Sequence, residues 1–287
     1  MSSTQFQKDS AEIHECFTKL RLDFDVLEIR KNRRGSAVIA AAHGEKFIIK
    51  LASKGVDGNE KNIIPSRSAG IENEIAILRA IKNRGPFSDI YIGTITESWS
   101  LCAIRYIEGI SGFQIPPNQR IPAIANLLSA VCTLHDLGYV HGDIQSKNLI
   151  FQIPLERTTL IDFEFASRLD SEVPQYPATK ECLSPESARD VLRSGYVERK
   201  LPQDIYALSM ACLSLLEGKN ARTFRGVNPS LDERMRQIAS GETSIEIGTE
   251  ADHTEARLAH SLKNILLRPE NDRPRTVRDL MSVLKFG

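Results

Sequence analysis

Tyr139-Val140-His141-Gly142-Asp143-Ile144-Gln145-Ser146-Lys147-Asn148-Leu149-Ile150 is the stretch on which the reading of this 287-residue chain turns. It places a carboxylate, four intervening residues and a carboxamide directly ahead of an apolar, strand-like run. A second carboxylate ends another such run in Leu160-Ile161-Asp162-Phe163-Glu164. Phosphoryl transfer from a metal-bound nucleotide asks little covalent chemistry of a protein. It needs one carboxylate to orient the attacking hydroxyl, and hard oxygen ligands to hold magnesium on the phosphates. Asp143 has the chemistry for the first role, and Asn148 with Asp162 for the second.

Working outward, Ile124, Leu127, Leu128, Val131 and Leu134 recur at helical spacing and predict a helix over 121–137. Its end, Leu134-His135-Asp136-Leu137-Gly138-Tyr139-Val140-His141-Gly142-Asp143, follows the pattern L-H-x-x-G-x-x-H-x-D. Together with Asn148 and Asp162-Phe163, this resembles the catalytic loop and metal-binding motif of the protein-kinase superfamily, H-R-D-x4-N followed by D-F-G. The resemblance implies an α+β, bilobal fold. Its small lobe is an antiparallel sheet with one helix, its large lobe is mostly helical, and ATP with Mg2+ sits between them. It also gives His141 a supporting role through packing and hydrogen bonds rather than proton transfer.

The small lobe reads less sharply. Phe24–Ile29, Ala37–Ala41 and Lys46–Leu51 alternate as strands, separated by turns at Lys31–Gly35 and His43-Gly44. In the family a lysine on the third strand contacts the α and β phosphates and is held by a helical glutamate. Lys50 is the expected lysine, with Lys46 the alternative at a solvated strand start. The helical spacing over Gly70–Ala80 puts Glu74 on the face of Ile71 and Leu78, with Glu72 as the fallback partner. The glycine-rich loop G-x-G-x-x-G-x-V aligns with 31–38, which keeps Val38 but has only one glycine, Gly35, followed by Ser36. Either side-chain donors from Lys31, Arg33, Arg34 or Ser36 replace the missing close backbone approach, or the segment is an exposed basic hairpin tip. By resemblance Ile104 is the gatekeeper, the Arg105–Tyr106–Ile107 backbone meets adenine, and Ile48, Ile150 and Ile161 border the nucleotide.

Several positions depart from the family pattern. Gly142 replaces the arginine that grips a phosphorylated activation segment, which implies a constitutively competent enzyme. Gln145 stands where Ser/Thr kinases carry a lysine, and either Gln145 or Lys147 is expected to meet transition-state charge. Glu164 replaces the D-F-G glycine. It either adds a metal-side carboxylate, points to solvent or binds a neighbouring lysine. These features also resemble choline-kinase-like enzymes, aminoglycoside phosphotransferases and the kinase-like domains of lanthipeptide synthetases.

The remainder favours the protein-kinase arrangement. Thr179-Lys-Glu-Cys-Leu-Ser-Pro185-Glu186 has the spacing of T-x-x-Y-x-A-P-E, and Asp204-Ile-Tyr206 opens an apolar segment resembling the family's central helix. Pro269–Thr276 resembles the signature whose arginine pairs with the A-P-E glutamate, so Arg273 is expected to meet Glu186. Residues 219–262 show no clear pattern.

Composition excludes several other classes. Lys+Arg and Asp+Glu both number 37, so no global charge argues for nucleic acid or an anionic membrane. No run approaches the ~18 apolar residues of a membrane span, and the five scattered cysteines form no C-x-x-C pair. The expectation is a cytoplasmic protein with an extension at 1–23 and one kinase-like domain at 24–287, its lobes 24–107 and 108–287. It is expected to act on a protein or peptide, most simply as a Ser/Thr kinase. A small-molecule or precursor-peptide kinase, or a pseudokinase scaffold, are the alternatives.

Overall fold

The structure, a computed structural model, describes residues 13–32, 35–54, 66–171, 179–197, 200–248 and 253–286. Alternating apolar residues make a meander of β1 (Asp25–Asn32), β2 (Gly35–Ala42) and β3 (Glu45–Ser53). β2 and β3 pair up to Ala42 and Glu45, which leaves His43-Gly44 as a two-residue turn with φ of +52° and +78°. β4 (Ile90–Ile95) and β5 (Trp99–Arg105) complete an antiparallel sheet in the order β1-β2-β3-β5-β4.

Period-two alternation gives this sheet two buried faces. Val38, Ala40, Phe47, Ile49, Leu51, Leu101 and Ala103 share one core with Ile13, Cys16 and Phe17 of helix α1, residues 13–20. Phe6, Ile13, Phe17 and Leu20, the sparse apolar positions up to Leu22, suit a short amphipathic helix; α1 carries the last three onto the sheet, while Phe6 falls outside the described residues. Helix α2 (Arg67–Ala80) packs against β3, β4 and β5, capped where Ser66 accepts the Ala69 amide at 3.2 Å. It approaches so closely that a Cβ at Gly93 would lie 2.7 Å from Ile75 Cγ2.

In the large lobe, helix α3 (Pro117–Asp136) begins before its expected start, with proline at the first helical position. The strand pair β7 (Tyr139–Val140) and β10 (Ser167–Arg168) brackets the loop region of the site. β6 (Ile110–Ser111), β8 (Leu149–Gln152) and β9 (Arg157–Leu160) form a small antiparallel sheet beneath the cleft. Helix α5 (Lys200–Glu217) is buried continuously from Gln203 to Leu216 and is the axis of the lobe. Around it stand α4 (Pro185–Ser194), α6 (Leu231–Ser240), α7 (His253–Leu267) and α8 (Val277–Leu284).

Helices α6 and most of α7 lie in the stretch that had no legible pattern. Only Met235 and Ile238 of α6 are buried, too few for a periodicity signal. The capping box of Ser230 and Glu233 was the available cue. Arg273 does meet Glu186, at 2.8 Å with both side chains largely buried, tying the segment before α8 to the start of α4. No described helix is long and apolar enough to cross a membrane.

If α1 belongs to the small-lobe core, Phe17→Ala should destabilise the protein by about 3 kcal/mol. Thermal or denaturant unfolding of the variant checks this, and an unchanged midpoint would show α1 to be an ornament.

Candidate active site

The loop after β7 is held from below by α5. Asp204, with 1% exposure, accepts the His141 amide on Oδ2 at 2.8 Å and the Gly142 amide on Oδ1 at 2.9 Å. His135 Nε2 lies 3.0 Å from the same Oδ2. Gly142 turns the chain at φ +77°, a conformation cheap for glycine alone. His141 Nε2 donates to the Ile161 carbonyl at 3.0 Å, so its Nδ1 accepts the Asp143 amide at 3.3 Å. Burial holds the His141 pKa below its ordinary value, which keeps the ring neutral. The ring lies tilted against Phe163 at 4.8 Å, and Phe163 meets Phe87 edge-on at 5.8 Å. His141 is thus a brace between the two halves of the site.

That bracing presents Asp143. Its Oδ2 accepts from Asn148 Nδ2 at 2.8 Å and Gln145 Nε2 at 2.9 Å, while its Oδ1 is buried without a hydrogen-bond partner. Burial pushes the carboxyl up to about 7, opposed by the nearby Thr179 hydroxyl and reinforced by Asp162. Asn148 also gives Nδ2 to the Asp143 carbonyl at 2.9 Å, which leaves its own side-chain oxygen as the remaining ligand atom. The Ile161 amide donates to the Asn148 carbonyl at 3.0 Å and so fixes Asp162 next to this loop. Asp162 itself adopts φ +68°, a sparsely populated conformation for a non-glycine residue.

Across the cleft, Lys50 Nζ lies 2.8 Å from Glu74, 2.6 Å from Asp162 and 3.3 Å from Glu164. Burial alone would lower the lysine, yet Asp162, Glu74 and Glu164 together hold it well above its ordinary range. Burial pushes Glu74 up, to about 7, against the pull of Lys50. Glu74 Oε1 also accepts the Phe163 amide at 3.1 Å, and Asn73 Nδ2 donates to the carbonyls of Glu164 and Ala166 at 3.1 and 2.8 Å. Helix α2 thereby grips the 162–166 segment by side chains from two successive residues.

Glu164 faces Lys50 and is only 8% exposed, which removes the solvent-facing reading. Oxygens of Glu74, Asp162 and Glu164 lie within 4.8 Å of one another. Three carboxylates thus converge on the Lys50 ammonium in a partly buried site. Clustered hard carboxylate oxygens suit a divalent cation of the magnesium class.

The other expected residues divide. Lys46 is exposed and lies over the Tyr106 ring at 6.0 Å, and Glu72 pairs instead with Lys54 at 2.8 Å. Ile48 and Ile104 are cross-strand partners, two positions from the Lys50–Cys102 pair and therefore on the Lys50 face. Val38 requires a correction. It pairs with Ile49 and is fully buried on the α1 side, whereas Ala37 pairs with Lys50 and Ile39 with Ile48. The alignment of the glycine loop is out by one residue, and Ile39 with Ala37 takes the cleft face.

Gly35 and Ser36 sit in the β1–β2 hairpin, paired to Asn32 and Lys31, while Arg33 and Arg34 fall outside the described residues. The hinge amides of Arg105 and Tyr106 are already donated to Asp89 and Lys46 carbonyls at 2.9 Å each. The Arg105 side chain turns to Asp89 at 3.0 Å and to Glu45, so only backbone carbonyls and the Ile107 amide remain for a ligand. Ile150 packs under Gly109, which passes so closely that a Cβ there would be 2.7 Å from Ile150 Cγ2. Ile161 contributes both its backbone groups to the loop. Lys147 is exposed and lines a separate small cavity. Asp204, Asn73 and Thr179 are the residues whose parts in the site no motif spelled out.

Residues 35–283 match the family model described as the protein kinase domain. The chain belongs to the protein kinase domain family. Serine/threonine-protein kinase 1 of African swine fever virus (isolate Tick/Malawi/Lil 20-1/1983) is 24% identical over 218 residues, 74% of this chain and 65% of the viral protein. The kinase chain thus spans slightly under two thirds of that relative's length. Calcium/calmodulin-dependent protein kinase cmkB of Emericella nidulans is 34% identical over 172 residues, covering 55% of this chain and 41% of that protein. The solved structure of the Cydia pomonella granulovirus kinase PK-1 shares the fold, with a TM-score of 0.69 at 16% identity over 95% of this chain and 97% of the other.

The raised Asp143 carboxyl makes a signed prediction. Its folded pKa of about 7 lies above the unfolded value of 3.8, so stability falls as pH rises between those values and then levels off. Asp143→Asn keeps an oxygen for Asn148 and Gln145 and removes the buried charge. Its melting temperature should equal or exceed that of the parent at neutral pH, with the gap closing on acidification. A variant that melts lower at neutral pH would contradict the burial argument.

Proposed function

We propose that this kinase domain transfers the γ-phosphoryl group of Mg-ATP to a serine or threonine hydroxyl of a protein. The observation that carries the reading is Asp143. One of its oxygens is fixed by two side-chain amides, and the other is buried without a hydrogen bond of normal geometry among the described residues, with the Thr179 hydroxyl near the carboxyl. A hydroxyl arriving at that oxygen would be oriented by it, and a carboxyl titrating near neutrality can accept the proton as transfer proceeds.

Lys50, held by Glu74, would meet phosphate oxygens, and Asn148 with Asp162 and Glu164 would hold magnesium, which supplies neutralising charge along the phosphates. Ile39, Ile48, Ile104 and Ile150 offer apolar walls to adenine, and the Ile107 amide is the available hinge donor. Gln145 serves first to orient Asp143. Two features support a polypeptide acceptor over a metabolite. The Thr179 hydroxyl stands at Asp143, and the segment behind it is anchored through Glu186 to Arg273. The name of the viral relative, serine/threonine-protein kinase 1, supports the same acceptor class.

The test is transfer of labelled γ-phosphate to a protein mixture and to serine-, threonine- and tyrosine-containing peptides. Activity should be lost on chelation of divalent ions and should rise with pH through about 7. Asp143→Asn should lower turnover by about 100-fold or more while retaining the thermal stabilisation given by Mg-ATP. Label appearing only on small metabolites would move the assignment to a small-molecule kinase. Mg-ATP binding without any transfer would make the domain a scaffold.

A further inference from the structure

Beside Asp143 lies a small cavity of about 90 Å³ that the catalytic geometry does not use. Gln145, Lys147, Thr179, Glu181, Asn220 and Arg222 contribute to its lining. Gln145 and Thr179 are also the residues on the Asp143 carboxylate, so the cavity opens next to the point where an acceptor hydroxyl would sit.

Its charge is unbalanced. Arg222 is only 4% exposed, yet its hydrogen bonds go to neutral groups, the Leu183 carbonyl and the Tyr206 hydroxyl, both at 2.5 Å. Its guanidinium also lies 5.5 Å over the Tyr206 ring, and its buried Nε has no partner. Among the described residues Arg222 has no carboxylate within ion-pair distance. Glu181 is the single carboxylate of the lining, and it is already paired with Arg234 at 2.9 Å. Lys147 adds an exposed ammonium. A buried cation without an anion is costly, and the cost falls when an anion arrives.

We propose that this cavity is a substrate subsite for an acidic side chain, a carboxylate or a phosphorylated residue, close in sequence to the accepting hydroxyl. Its size suits one such head group. Lys147 meets the incoming charge at the surface, and Arg222 supplies positive potential from the wall. The inference rests on the phosphotransfer reading for the identity of the ligand as a substrate, but its binding test does not depend on turnover.

The probes are short peptides with alanine at the acceptor position and one aspartate, phosphoserine, alanine or arginine placed at successive flanking positions. Their binding to the full chain is measured by calorimetry. One flanking position should show aspartate or phosphoserine binding about tenfold more tightly than alanine, the size of one charge-assisted contact. That advantage should shrink with added salt. The aspartate and phosphoserine arms decide which anion the subsite prefers.

Equal affinity for all peptides, or preference for arginine, overturns the proposal. Asn220 is exposed, so Asn220→Glu should fold normally while adding a competing negative charge to the lining. With the fold checked by circular dichroism, it should abolish most of the acidic preference. An acidic preference that survives in Asn220→Glu places the subsite elsewhere and likewise overturns the assignment. Labelled phosphate transfer to serine-containing versions of the same peptides reports separately on the phosphotransfer reading.

Discussion

The carboxylate of Asp204 carries the geometry of this kinase domain. It sits at the start of a helix buried on all sides, and its oxygens accept two successive backbone amides of the loop above. Desolvation would raise this acid, but hydrogen bonding from His135 and the loop amides keeps its pKa below the ordinary value. A buried carboxylate with its lone pairs satisfied is a rigid post, because rotating it would orphan charge in the interior. His141, Gly142 and therefore Asp143 take their positions from it. Phe163 and Ile161 are then set through the His141 ring.

The second constraint is electrostatic. Lys50 faces Glu74, Asp162 and Glu164, and this cluster joins β3, α2 and the strand-end segment that crosses between the lobes. Glutamate at position 164 makes the cluster more acidic than glycine would. Its backbone is also clamped by Asn73 through the Glu164 and Ala166 carbonyls. Local rigidity and a cluster of carboxylate oxygens thus arise from the same few residues. The acids are tolerable together because each has a cationic or amide partner, and a divalent ion would lower their repulsion further.

Legibility was uneven along the chain. The bilobal fold could be read from 134–164 and from the apolar run after Asp204, since both couple strong periodicity to rare residue order. Arg273 and Glu186 could be matched across 87 positions because each sits in a local signature. The small lobe was harder. Nothing local in Gly35–Val38 tells which face a residue takes, and a one-residue slip in alignment reverses the faces. Val38 was misplaced for that reason, and the strand register put Ile39 in the cleft. Helix α6 was missed because its apolar stripe is short, resting on Met235 and Ile238, and the rest of the segment is polar.

The chain's own order of residues determined which groups are available: two aspartates, an asparagine, a lysine and a glutamate, spaced to suit a nucleotide and a metal ion. Motif spacing is a local property and survives in one dimension. Only the tertiary structure decided what those groups experience. Asp143 is shifted toward neutrality by burial, Glu164 is turned onto Lys50 rather than to water, and Arg222 has no carboxylate within ion-pair distance among the described residues. Burial and pairing depend on segments far apart in sequence meeting in three dimensions, and no local pattern encodes which neighbours arrive.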